Sequence, residues 1–128
     1  MKTRDDIESY VMRLELPYDE VGPETWVIHA GEVAEKLIVM LAAPVVVFRC
    51  KVMDVPDQHR EEFFRTLLEL NVTELVHGAY GVEGNSVVLG DALQLENLDY
   101  NEFQATVEDI SLAVANHYTK LAKFRASA

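Results

Sequence analysis

Leu37-Ile38-Val39-Met40-Leu41-Ala42-Ala43-Pro44-Val45-Val46-Val47-Phe48 is the most apolar stretch of the chain, and its reading decides the fold. Its twelve residues fall short of the twenty or so that a membrane span needs. Pro44 cannot donate to a strand ladder, so it belongs in a turn. The runs on either side, 37–41 and 45–48, then read as the two strands of a hairpin rather than as one helix. From Phe48 the residues alternate, with Phe48, Cys50 and Val52 on one face and Arg49 and Lys51 on the other. That is a strand with one buried and one wet face. The earlier runs are apolar on both faces, so this part of the sheet is expected to be covered on both sides.

Upstream, Thr3 and Asp6 form a T-x-x-D capping box. Ile7, Tyr10, Val11 and Leu14 follow at helical spacing, and Pro17 ends the helix. A loop around Gly22-Pro23 leads to a short strand, 26–30, broken by Gly31. Downstream, Asp57 is the expected N-cap of a second helix, and Asn71 its expected end. Phe63, Phe64, Leu67, Leu68 and Leu70 make its apolar stripe, which is wider than one core-facing side requires. Strands at 79–82 and 86–89 flank Glu83-Gly84-Asn85, a three-residue hairpin loop with Gly and Asn for positive φ. The second of them is expected to run on toward Leu95. Asp99 and Glu102 open the last helix, on which Phe103, Val107, Ile110, Val114, Tyr118 and Leu121 step by fours and threes. Lys120, Lys123 and Arg125 sit in its last turns, where cations suit the helix dipole. The order α-β-β-β-α-β-β-α predicts an α+β fold, an antiparallel sheet with helices packed on it. With no repeat and no linker, one domain over residues 1–128 is expected.

Charge narrows the partners. The chain carries a formal charge of −11, and no Lys or Arg occurs between Arg65 and Lys120 while nine acids do. Half the chain therefore contributes nothing to a phosphate-binding face, and neither nucleic acid nor an anionic membrane is an expected partner. Such a surface either keeps the protein soluble or attracts a basic partner. Cys50 is the single cysteine, so no disulfide forms within the chain. The first residues lack the apolar run of a signal peptide, and a soluble protein of the reducing cytoplasm is expected.

Catalytic patterns are weak. Gly78-Ala79-Tyr80-Gly81-Val82-Glu83-Gly84 lacks the Lys-Ser or Lys-Thr of a phosphate loop and precedes a strand rather than a helix. His29, His59, His77 and His117 show no metal spacing, and neither metal nor cofactor is expected. His77 and His117 could still meet in space, or His117 could be a partly buried polar residue. Cys50, between core-facing neighbours, reads as an inert thiol unless a histidine lies beside it. The strongest feature is the wide stripe on the second helix. It is either plain core or a subunit or partner contact through Phe63, Phe64, Leu67 and Leu68.

Leu67-Leu68-Glu69-Leu70-Asn71, Gly78-Ala79-Tyr80-Gly81-Val82, Val87-Val88-Leu89 and Leu98-Asp99 before a long helix together resemble the YbjN-domain family. The element order also resembles the type III secretion chaperone fold. The likeness runs through nearly the whole chain in element order and lies, residue by residue, mainly between Leu67 and Leu121. Its motifs are structural and bring no catalytic residue. It implies a bacterial, cytoplasmic, non-enzymatic homodimer that binds a protein or an extended peptide client, or else a regulatory module. The competing expectation is a small enzyme or ligand-binding domain with a pocket at His77, His117 and Tyr80.

Overall fold

A computed structural model of the chain describes residues 1–31 and 36–125. Helix α1 (Arg4–Arg13) is followed by β1 (Tyr18–Gly22), β2 (Thr25–Ile28), β3 (Leu37–Ala42) and β4 (Val45–Asp54). Then come α2 (Arg60–Thr73), β5 (Ala79–Glu83), β6 (Ser86–Gln94) and α3 (Tyr100–Arg125). The strands form one six-stranded sheet in the order β1-β2-β3-β4-β6-β5, antiparallel throughout. The α+β class and the helix-on-sheet arrangement are as expected, with β1 as an additional strand. Tyr-Asp-Glu-Val-Gly shows no apolar alternation, and all but its last residue are exposed. Its place comes instead from pairing with β2 and from the ion pair of Arg4 on α1 with Glu20.

The hairpin at Pro44 forms as read, with Ala42 opposite Val45. One strand face carries the core: Trp26 and Ile28, Leu37 and Val39, Val46, Phe48 and Cys50, Val87 and Leu89 are all buried. Against it pack α1 through Ile7, Tyr10 and Val11, and α3 through Phe103, Val107 and Ile110. The expectation that β3 and β4 are covered on both faces is corrected. Ile38 and Met40 on the other face are each 40% exposed, and no helix among the described residues packs over them. An apolar face signals burial only against something, and here the chain itself supplies covering on one side.

Local departures have local causes. The β4–β6 register shifts between Lys51 and Met53, so Met53 is buried and Val52 is half-buried, reversing the expected alternation. Asp57 does not cap α2. His59 does, in a left-handed conformation with φ 56° and without a side-chain cap bond. Asn71 does not stop α2 either; the helix runs to Thr73. The Asn71 side chain instead accepts from the Tyr80 N–H at 2.7 Å and donates to the Tyr80 carbonyl at 3.2 Å. A side-chain amide thus pairs with the edge strand as a neighbouring strand would. In the β5–β6 turn Glu83 pairs with Ser86, leaving a two-residue loop in which Gly84 alone has positive φ. On α3, Tyr118 is 46% exposed and His117 takes its place inside at 2% exposure. The steps 114–117–121 and 114–118–121 satisfy the same helical spacing, so sequence periodicity does not choose between them. The Thr3 capping box forms, with the Thr3 N–H donating to Asp6 at 2.8 Å, and Asp99 accepts from the Glu102 N–H at 2.8 Å.

Asn71→Ala removes both bonds to Tyr80 and leaves a backbone donor and acceptor without their partner. The expected cost is about 1–3 kcal/mol, read from the midpoint of urea unfolding at unchanged slope. A variant as stable as the parent would show that water replaces the amide at no cost.

Candidate interaction surface

The second helix divides its apolar residues between two sides. Phe63, Leu67 and Leu70 point inward and are buried. Phe63 meets Phe124 of α3 edge-on, ring centroids 5.0 Å apart. Phe64 is half-buried, its ring 5.7 Å from that of Phe63 and with the Arg60 guanidinium above it. Leu68 is 64% exposed. Of the four residues singled out from the sequence, Phe63 and Leu67 thus lie in the chain's own core, Phe64 at its margin, and Leu68 outside.

Stepping on by four from Leu68 reaches Val72 at 85% exposure and, past the helix end, Val76 at 87%. Phe64, Leu68 and Val72 therefore form an apolar stripe along the outside of α2, and the exposed Val76 lies past the helix end, at the cleft against α3. Sequence reasoning missed the last two. For Val72 the signal was present, because the i, i+4 spacing from Phe64 through Leu68 continues to it; for Val76, beyond the helix, that spacing gives none. The stripe rests on a firmly tied helix. Lys120 and Lys123 of α3 reach Glu74 and Glu62 at 2.6 and 3.2 Å, and Asn71 holds β5.

The surface also carries two concavities, one of mixed character and one mainly apolar. Outside the sheet, Val47, Arg49, Gly81, Glu83, Val88 and Asp91 line a shallow depression of about 460 Å³. It exists because the facing positions are small: a side chain at Gly81 would meet nothing within 4 Å. On the helical side, a pocket of about 620 Å³ opens between Leu14 and Leu16 after α1, Ala30 and Gly31 after β2, and Val107, Ser111 and Leu112 of α3.

The polar residues gather elsewhere. The Tyr80 hydroxyl lies 2.7 Å from His117 Nδ1. His77 pairs with Asp109 and lines, with His117, a cleft of about 150 Å³. Burial raises the pKa of the Tyr80 hydroxyl, so it keeps its proton. Burial pushes the Cys50 thiol up to about 11, and its sulfur sits 3.8 Å from the Lys51 carbonyl. Tyr80 and Cys50 thus both keep their protons, and neither is an activated nucleophile. Among the described residues, no group of three His, Cys, Asp or Glu side chains is placed to hold a metal ion.

The sequence model of CesT_Tir_1 matches residues 1–127. The chain belongs to the CesT_Tir_1 family. No curated protein sequence matches it. Among solved structures, YbjN from E. coli superposes with a TM-score of 0.70 at 12% identity, over 93% of each chain. A chain of the heterodimeric ExoU–SpcU complex from the type III secretion system of Pseudomonas aeruginosa also gives 0.70, at 13% identity over 86% of this chain and 93% of that one. A chain of the ExsC–ExsE complex gives 0.63 at 14% identity, over 91% and 94%. At such identities the likeness is one of fold, and the fold of this CesT_Tir_1 member is the type III secretion chaperone-like one expected from its element order. No helix among the described residues is long and apolar enough to cross a membrane.

A thiol held near 11 carries about a hundredth of the thiolate it would have at its ordinary value. Cys50 should therefore react with a disulfide reagent at about pH 8 at least about a hundredfold faster in urea than in the native protein. Equal rates would place the thiol at the surface.

Proposed function

We propose that this chain is a non-enzymatic, chaperone-like module of the bacterial cytoplasm that works as a homodimer and binds a protein or extended peptide. The observation that carries this reading is the uncovered stripe Phe64, Leu68 and Val72 on α2. A contiguous apolar surface outside a small domain is the usual mark of a contact. Leu68 and Val72 are its centre, Phe64 its margin, and Phe63 and Leu67 support it from beneath. The similar solved structures include the ExoU–SpcU complex from a type III secretion system, the ExsC–ExsE complex and the HopA1–SchA chaperone–effector complex. They support a protein client for this chain, while YbjN supports a regulatory role. The residues of the stripe are apolar, carry no motif and favour neither branch.

The competing pocket is weakened by its own chemistry. Tyr80 and His117 do meet, but burial keeps the Tyr80 hydroxyl and the nearby Cys50 thiol protonated.

Light scattering of the purified chain at tens of micromolar should give twice its mass. Leu68→Glu combined with Val72→Glu puts two carboxylates into the contact and should weaken association at least about thirtyfold, about 2 kcal/mol. Both sites are exposed, so the variant should keep its circular dichroism. A wild-type monomer would overturn the dimer. An unchanged variant would move the contact off α2.

A further inference from the structure

His117 sits on α3 where three elements meet, and only 2% of it is exposed. Its Nδ1 is 2.7 Å from the Tyr80 hydroxyl of β5. Its Nε2 faces Glu74, the C-cap of α2, at 3.6 Å. Glu74 also accepts from Lys120 at 2.6 Å. On the far side of Tyr80, Asn71 of α2 holds the strand's backbone. The end of α2, the edge strand and α3 therefore converge on one imidazole.

The tautomer follows from the neighbours. A lone pair on Nε2 would face a carboxylate, so Nε2 carries the hydrogen and Nδ1 accepts from Tyr80. That state satisfies the hydroxyl and gives the carboxylate a donor to face. Protonation adds a hydrogen at Nδ1. Tyr80 must then turn its own hydrogen away, and among the described residues its hydroxyl bonds to His117 alone. A buried donor left without a partner is costly.

We propose that His117 is a proton-sensitive latch: the neutral ring fastens β5 and the end of α2 to α3, and protonation releases that corner before the rest of the fold. The groups around it are few. Tyr80 from β5 stays protonated, and so does the Cys50 thiol of β4 beyond it. Glu74 is held below the usual carboxylate range, chiefly by the hydrogen bond from Lys120. His77 and Asp109 pair with each other along the same cleft. Burial also holds the His117 ring below its ordinary value, against the pull of Glu74. The neutral ring therefore stabilises the fold. Its contribution is whole above the ordinary value of 6.5 and is lost as pH falls through the lower folded value. The latch opens with acid. It does not depend on what the α2 stripe binds, although Val72 and Val76 lie on the released segment.

Hydrogen exchange of the full chain between about pH 7.5 and about pH 5, corrected for intrinsic rates, tests this. Residues 71–80 should lose protection several-fold more than residues 46–50 of β4. His117→Gln should abolish that difference, and His77→Asn should keep it. Parallel loss in the two segments, or a difference that survives His117→Gln, would overturn the latch. Should His117→Gln not fold, nitrogen NMR of the wild-type ring decides. A hydrogen on Nε2 at neutral pH and a titration midpoint matching the exchange transition support the latch. A hydrogen on Nδ1, or a mismatched midpoint, sinks it.

Discussion

The ring of Phe48 on β4 against the ring of Phe103 on α3, centroids 5.4 Å apart, is the contact around which the inner layer is built. β4 is the strand with two long partners, six residues opposite β3 and nine opposite β6. Whatever lies against β4 therefore positions most of the sheet. Tyr10 of α1 packs on the same Phe103 ring at 5.6 Å, and its hydroxyl donates to the Leu98 carbonyl at 3.1 Å. The first and last helices thus share one aromatic anchor. Removing buried Phe rings of this kind costs about 3–5 kcal/mol, a large part of what holds a domain of this size together.

That anchoring explains an asymmetry. With α1 and α3 both drawn to the inner face, the outer face of β3 and the outer side of α2 keep their aliphatic residues in water. Ile38, Met40, Leu68 and Val72 are each two-fifths exposed or more.

The sequence was legible where one residue type forces one geometry. Pro44 marked the β3–β4 turn, and Thr3 and Asp99 marked helix starts. It was not legible where a tertiary partner decides. β1 has no apolar rhythm and is placed by β2 and Arg4. The bulge after Lys51 moves Met53 inward for reasons of pairing. Asn71 looked like a stop because asparagine favours helix ends, and its partner Tyr80 could not be seen from nine residues away. On α2 the excess of apolar residues was visible. Which of them face outward depended on where α3 places Phe124.

The Asn71 amide has a meaning for assembly. A sheet edge that accepts another strand accepts a further one after it, and such head-to-tail growth does not close. At Tyr80 the edge of β5 is already taken by a side chain of the same molecule. At the opposite edge, a strand arriving on β1 meets Asp19 and Glu20. Both ends of the sheet thus discourage open-ended growth. A helix face is different, because two copies meeting through the same patch leave no third patch free. If copies of this chain meet through α2, as proposed, their number is fixed by that geometry.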